Sequence, residues 1–290
     1  STADRDSEHV RQADYAVCVG EASPTTSYLN NTAIISAAEL TNSDAIHPGY
    51  GFLAENALFA EQCEASGFHF IGPTSKSIAL MGNKISAIEA VKPFDLHGVP
   101  GVCIEDQSEE KLIEVCEEIG FPVLVKSAFA GGGRGMRVVN QSSELTTQIK
   151  EAKREAEHAC KNATVYIEKY LESPRHIEMQ VLADASGNVL VLGERDCSVQ
   201  RRYQKIIEEA PAINIPEKLL TELRQKVIRT TKELAYIGAG TFEFLYQNET
   251  FYFIEMNTRL QVEHPTTEEV FGIDIVQKQI EIAAGNSLKI

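Results

Sequence analysis

Residues 241–265 read Thr-Phe-Glu-Phe-Leu-Tyr-Gln-Asn-Glu-Thr-Phe-Tyr-Phe-Ile-Glu-Met-Asn-Thr-Arg-Leu-Gln-Val-Glu-His-Pro. Phe242, Phe244 and Tyr246 alternate with Glu243 and Leu245, and Phe251 and Phe253 with Tyr252 and Ile254, a period of two that predicts two strands of a hairpin. Parity then governs the carboxylates, because a slip of one residue sends every side chain to the other face. With Asn248, Glu249 and Thr250 as a three-residue loop, Gln247 pairs with Phe251 and Glu243 stands opposite Glu255; a four-residue loop separates them. Facing like charges destabilise a strand pair unless a cation lies between them. Glu243, Glu255 and the amide of Asn257 are hard oxygen donors suited to Mg²⁺ or Mn²⁺, ions that keep positions for water and phosphate. The alternative is two exposed glutamates on an edge strand.

Beyond the hairpin, Arg259, Gln261 and Glu263 recur at every second residue, which puts a cation, an amide and a carboxylate on one side if the segment stays extended. A Glu paired with an Arg can serve as base toward a small oxyacid whose charge the Arg holds. A surface ion pair is the other reading.

Composition narrows the classes. The 290 residues suffice for two or three lobes. With 27 basic against 42 acidic residues, net −15, neither nucleic acid nor an anionic membrane is expected as the main partner. Cys18, Cys63, Cys103, Cys116, Cys160 and Cys197 form no C-x-x-C pair, so neither zinc nor a disulfide framework is indicated and a reducing compartment fits. No apolar run approaches the roughly 18 residues of a membrane span, and Ser1–Asp14 is unlike a signal peptide. A soluble, intracellular protein is expected.

Toward the N-terminus, Ala16–Val19 and Asp44–Gly51 read as strands around a helix from Ala33 to Leu40 capped by Asn31 or Thr32, a βαβ unit of a parallel sheet. Loops after such strands carry ligands, which makes His47–Tyr50 a candidate rim. Further on, Glu109–Ile119 has helical spacing, and the strand Val123–Lys126 leads into Gly131-Gly132-Gly133-Arg134-Gly135 before Arg137–Val139 resumes a strand. Glycines let backbone N–H groups close around phosphate oxygens, and Lys126 adds a charge; a ligand-free hairpin is the alternative. A solvated helix is expected near Leu145–Cys160. Strands are expected at Val165–Leu171, Pro174–Ala183 and Asn188–Glu194, a turn at Asp184–Gly187, and an amphipathic helix at Leu219–Leu234.

The Lys126 loop, Glu168-Lys169-Tyr170-Leu171, Glu194-Arg195-Asp196-Cys197-Ser198, Gly238–Phe244 and the run Glu255–Pro265, in that order, resemble the biotin carboxylases of the ATP-grasp superfamily from Ala3 to Gly285. The resemblance implies an α/β fold in three lobes: a Rossmann-like N-terminal domain over 1–98, incomplete at its start; an ATP-grasp lid with the Gly-rich loop over 99–171; and an ATP-grasp C-terminal sheet over 172–290, truncated. It implies ATP held by Lys84, Lys126, Gly131, Gly132, Gly133, Glu168, Lys169, Leu171, His176, Gln200, Tyr203, Leu245, Glu243 and Glu255, and Mg²⁺ or Mn²⁺ on Glu243, Glu255 and Asn257. Bicarbonate falls to Lys205, Arg259, Gln261, Val262 and Glu263, with Glu263 as base beside Lys205 and Arg259, and biotin to a pocket bordered by Tyr50. Implied partners are a biotin carboxyl carrier, a carboxyltransferase and a second copy in a homodimer; bacterial cytoplasm or an organelle matrix would both suit. Relative to the family, Tyr203 stands where His is usual, Asn83 where Asp is common, and Pro93 interrupts a helical segment. The family's first strand and helix would precede Ser1, and its last portion, with an Arg near the biotin, would follow Ile290, so the chain reads as a fragment of such an enzyme. Two other readings stay open, a nucleotide-binding remnant and another ATP-grasp carboxylate-amine ligase.

Overall fold

The computed structural model describes residues 1–104, 109–127, 136–160 and 164–289. In the first part a short helix α1 (Glu8–Gln12) precedes α2 (Asn31–Leu40), and a two-stranded parallel sheet pairs β1 (Ala45–Ile46) with β2 (His69–Phe70) across α3 (Ala57–Ala65). The βαβ unit therefore lies one element later than the sequence suggests, because Ala16–Val19 runs as an irregular segment. Nor is α2 capped by Asn31 or Thr32: Asn30 accepts from Ala33 N at 3.1 Å. Helices α4 (Ser75–Gly82) and α5 (Lys84–Val91) follow, and Asn83 caps α5 by accepting from Ile85 N and Ser86 N. An amide thus performs the cap that an aspartate would. Pro93 has no N–H to continue the helix, and α5 gives way to a 3-10 turn over Lys92–Phe94.

Two antiparallel sheets make up the rest. The smaller, in the order β3 (Gly101–Ile104), β6 (Val165–Lys169), β4 (Val123–Ser127), β5 (Arg137–Val139), is covered on one side by α6 (Glu109–Ile119) and α7 (Ser142–Cys160). Val123, Val125, Val165 and Ile167 pack onto Leu112, Cys116, Leu145 and Ile149. By alternation Leu124 and Lys126, paired with Glu168 and Tyr166, face away from those helices. The Gly-rich stretch Gly131–Gly133 lies outside the described residues.

The larger sheet runs β11 (Thr250–Asn257), β10 (Gly238–Gln247), β7 (Arg175–Ala183), β8 (Val189–Arg201), β9 (Gln204–Glu209). Its apolar face holds Ile177, Met179, Val181, Phe242, Phe244, Phe253 and Met256, against α8 (Glu217–Glu233) through Leu220, Leu223 and Val227. Helices α9 (His264–Phe271) and α10 (Ile275–Ala283) complete the chain, Ile275 and Ile282 packing on Leu182 and Ala239. Among the described residues no helix is long and apolar enough to cross a membrane.

The decisive hairpin reaches its expected pairing by another route. Its turn has two residues, Asn248 (φ 49) and Glu249 (φ 57), and Gln247 pairs with Thr250, which alone would set Glu243 against Ile254. A bulge at Ile254 restores parity: Phe244 faces Phe253, and Glu243 faces Glu255. The three-residue loop is thus corrected to a two-residue turn plus one inserted strand residue. Both turn residues sit in the left-handed region that suits such tight hairpins.

Candidate functional site

Strand register assembles a row of charge across the polar face of the larger sheet. Glu243 on β10 faces Glu255 on β11 and Glu178 on β7, and Glu178 in turn faces Arg195 on β8. Alternation puts His176 and Gln180 beside Glu178, Thr241 and Leu245 beside Glu243, and Asn257 beside Glu255, all on this face. Glu178 was not singled out from the sequence, although its spacing of two from His176 on a strand was the signal.

Lys205, on the β8–β9 hairpin, reaches over this row. Its Nζ lies 2.9 Å from Glu243 Oε1 and 2.6 Å from Glu263 Oε1, and also contacts Glu178 Oε1. Burial works against an ammonium, but Glu243, Glu178 and Glu263 outweigh it and hold the Lys205 pKa above its usual value. His176 Nε2 lies 3.0 Å from Glu243 Oε2 and 3.3 Å from Glu178 Oε1. Burial again opposes the charge, and the two carboxylates win, raising the imidazole to about 9.

The carboxylates of the row differ in their partners. Glu243 is hemmed by Lys205, His176, Asn257 Nδ2 at 2.7 Å and Gln261 Nε2 at 2.8 Å; burial favours its neutral form, yet His176 and Lys205 hold it below the usual carboxylate range. The Glu255 carboxylate makes neither hydrogen bond nor ion pair among the described residues, and burial followed by the charge of Glu243 raises its pKa. A carboxylate whose lone pairs are unspent, facing a second carboxylate, is the donor set that a hard divalent cation completes. Glu178 Oε1 adds to this: buried, it touches Lys205 and His176 without receiving an aligned hydrogen bond. The residues present fit a Mg²⁺-type ion. Asn257, assigned to the same ion from the sequence, is otherwise engaged: its Oδ1 accepts from Arg259 Nη2 at 3.0 Å and its Nδ2 donates to Glu243.

The segment after β11 does not stay extended, which corrects the expected single side for Arg259, Gln261 and Glu263. It turns at Val262–Glu263 into α9. Gln261 and Glu263 point to Glu243 and Lys205, whereas Arg259 pairs with Glu55 of the N-terminal lobe, Nε to Oε2 at 2.7 Å. Glu55 also accepts from Thr258 N at 3.0 Å. The base expected to pair with Arg259 pairs with Lys205 instead. No sequence pattern marked Glu55, because the contact spans 204 residues. Val262 is 63% exposed.

On the smaller sheet, Lys126 is buried and bonded to Glu168. Burial, then the charge of Lys84, pushes the Lys126 ammonium down to about 7, so the two lysines expected to hold phosphates lie close together. Lys169 is less free than expected, its Nζ capping the end of α6 through Gly120 O (2.8 Å) and Phe121 O (3.1 Å). Leu171 follows β6, half-buried, and Leu245 pairs with His176. Gln200 Nε2 lies 2.7 Å from Cys197 O and 3.1 Å from His176 Nδ1. Tyr203, at the tip of the β8–β9 turn with φ 62, is 53% exposed. Tyr50, 56% exposed, sits in a loop tethered by His47, which accepts from Gly49 N and reaches Gln279 on α10 at 3.1 Å.

Comparison with known proteins gives a consistent result. The family described as the biotin carboxylase N-terminal domain matches residues 1–78, and that described as the ATP-binding domain of the carbamoyl-phosphate synthase L chain matches residues 83–290. The chain is 56% identical over 290 residues to a biotin carboxylase of Allochromatium vinosum and 55% over 288 residues to that of Haemophilus influenzae, covering 100% and 98% of this chain. It spans only 65% and 64% of their lengths. A biotin carboxylase complex from Campylobacter jejuni superposes with TM-score 0.94 at 47% identity, over 99% of this chain and 65% of that one. The biotin carboxylase domain dimer of Hydrogenobacter thermophilus 2-oxoglutarate carboxylase, bound to MgADP, ADP and bicarbonate, gives 0.92 at 44%, over 99% and 64%.

Proposed function

The chain belongs to the biotin carboxylase family, and from that premise we propose that it is the nucleotide- and bicarbonate-binding part of an ATP-dependent ligase that carboxylates biotin. The observation that carries the reading is the row Glu178–Glu243–Glu255 with Lys205 above it, together with Lys84, whose charge acts on both Glu255 and the Lys126 that is bonded to Glu168. Residues 1–98, 99–171 and 172–290 act as N-terminal, lid and sheet lobes. ATP lies between the two antiparallel sheets, with Lys84 and Lys126 on its phosphates; a lysine held near neutrality by burial gains most from an incoming anion.

Bicarbonate is a poor electrophile, so the γ-phosphoryl group of ATP passes to it, giving carboxyphosphate and ADP. The metal, held by Glu243 and Glu255 with Glu178 behind them, would neutralise phosphate charge when bound. Lys205 and the Gln261 amide hold the oxyanion, and Glu263 is placed to take its proton, a role supported by its 2.6 Å contact with Lys205. Arg259, held by Glu55 of the N-terminal lobe, borders the bicarbonate site. Carboxyphosphate gives CO₂ and phosphate; the ureido N–H of a biotin bordered by Tyr50 and delivered by a carrier protein gives its proton to that phosphate, and the nitrogen bonds to the carbon of CO₂. A carboxyltransferase consumes the product, and the protein works as a cytoplasmic homodimer.

The test is ATP hydrolysis by the full protein that contains this chain. The expected result is turnover that needs bicarbonate and Mg²⁺ and rises on adding free biotin. Bicarbonate-independent hydrolysis, or none, would overturn the reading, and turnover without biotin stimulation would favour another carboxylate ligase.

A further inference from the structure

Arg195 is 1% exposed, at the end of the row beside Glu178, and its guanidinium carries no acceptor atom. Its Nε and Nη2 both donate to Glu178 Oε2, at 3.1 and 2.9 Å. Nη1 donates to Gln180 Oε1 and Thr267 Oγ1, both at 2.9 Å, and Nη2 reaches Gln261 Oε1 at 2.7 Å and Thr241 Oγ1 at 3.4 Å. One planar fork therefore joins β7, β8, β10, the segment after β11 and α9.

Because every Arg195 nitrogen can only donate, each partner must turn an oxygen toward it. For Gln261 this decides which end of the amide meets the site: Oε1 is committed to Arg195, and Nε2 faces Glu243. Gln180 shows the same sorting, with Oε1 on Arg195 and Nε2 on Gly240 O at 3.0 Å. The amide of Gln261 is buried, so without that anchor nothing comparable would hold its oxygen inward.

We propose that Arg195 is a positioning residue that makes Gln261 an obligate hydrogen-bond donor toward the bicarbonate site while fixing Glu178 behind the metal site. The proposal rests on the reading that Gln261 meets bicarbonate. Arg195 acts through the side chains it holds, since its nitrogens are engaged by Glu178, Gln180, Thr241, Gln261 and Thr267. A lysine in its place would keep the charge and lose the fork, so it could satisfy Glu178 but not Gln261 and Gln180 at once.

The experiment uses the full protein. Arg195→Lys should raise the KM for bicarbonate about tenfold or more while leaving the KM for ATP within about twofold. In a Gln261→Ala background the same substitution should change the bicarbonate KM less than twofold, since the group it orients is gone. Equal losses for both substrates, or full additivity in the double variant, would overturn the proposal as a merely structural effect. If Arg195→Lys does not fold, Gln261→Glu decides: it keeps an oxygen on Arg195 and removes the donor, so bicarbonate-dependent turnover should fall at least 100-fold, and retained turnover would overturn the proposal. Should the wild type show no bicarbonate-dependent turnover at all, the functional reading fails separately. The side-chain ¹⁵NH₂ signal of Gln261 then tests the anchor alone, slow to exchange in the wild type and fast in Arg195→Lys; equal exchange in the two would overturn it.

Discussion

Glu255→Gln should push metal affinity and apo stability in opposite directions, which a structural role alone would not do. Directly opposed residues on neighbouring antiparallel strands bring their Cβ atoms within about 5 Å. Two unit charges at that spacing repel by about 3 kcal/mol at an effective dielectric of about 20. Lys205 and His176 contact Glu243 without contacting Glu255, and they offset part of this, leaving about 1 kcal/mol to be recovered when Glu255 loses its charge. The metal-free variant should therefore melt about 2–4 °C higher than the wild type. Removing one of two facing carboxylates should weaken Mn²⁺ binding at least 100-fold, or about 2.7 kcal/mol. Thermal unfolding in chelator and calorimetric Mn²⁺ titration with a non-hydrolysable ATP analogue read the two effects. pH supplies a third. Since the folded pKa of Glu255 is raised above 4.5, the folded state holds the extra proton, and apo stability falls as pH rises from 4.5 through the folded value; the Gln variant lacks this slope. Unchanged Mn²⁺ affinity, or an apo variant less stable by more than about 1 kcal/mol, would refute the reasoning.

Three further outcomes are expected. Glu249→Gly should stabilise the protein by about 0.5–1 kcal/mol in urea unfolding, because Glu249 holds φ 57, where a Cβ is strained. Phe253→Ala should cost about 3–5 kcal/mol by the same assay, as Phe253 is 1% exposed and its ring centroid lies 6.1 Å from that of Phe242 and 5.9 Å from that of Phe244. Burial opposes ionisation of Asp196, but Ser198 and Arg175, whose Nη2 lies 2.6 Å away, hold its carboxyl below the usual range. Its contribution is present above 3.8 and lost as pH falls through the lower folded value, so Asp196→Asn should cost about 1–2 kcal/mol at pH 7 and flatten the acid limb of the stability curve.

Much of the site was legible where chemistry and period coincide. The alternation around Glu243 and Glu255 announced a strand pair with carboxylates on one face, and the strand found at Val123–Ser127 carries Lys126. Glu178, Arg195 and Glu55 were not identified from the residues as parts of the site. Each acquires its role only through a partner distant in sequence: Glu178 through Glu243, Arg195 through Gln261, and Glu55 through Arg259.

The hairpin draws the boundary between the two kinds of information. Local alternation determined that Glu243 and Glu255 belong on strands and, by hydrophobic contrast, which face of each strand is buried against the core. Whether they meet depended on a two-residue turn and a bulge at Ile254, whose effects on parity cancel. Local pattern cannot fix that sum, because turn length and bulge position are chosen by the packing of Phe242, Phe244 and Phe253 on one face and by the pairing of β10 with β7 on its other edge. Side-chain period is a property of the chain, and register is a property of the assembled sheet.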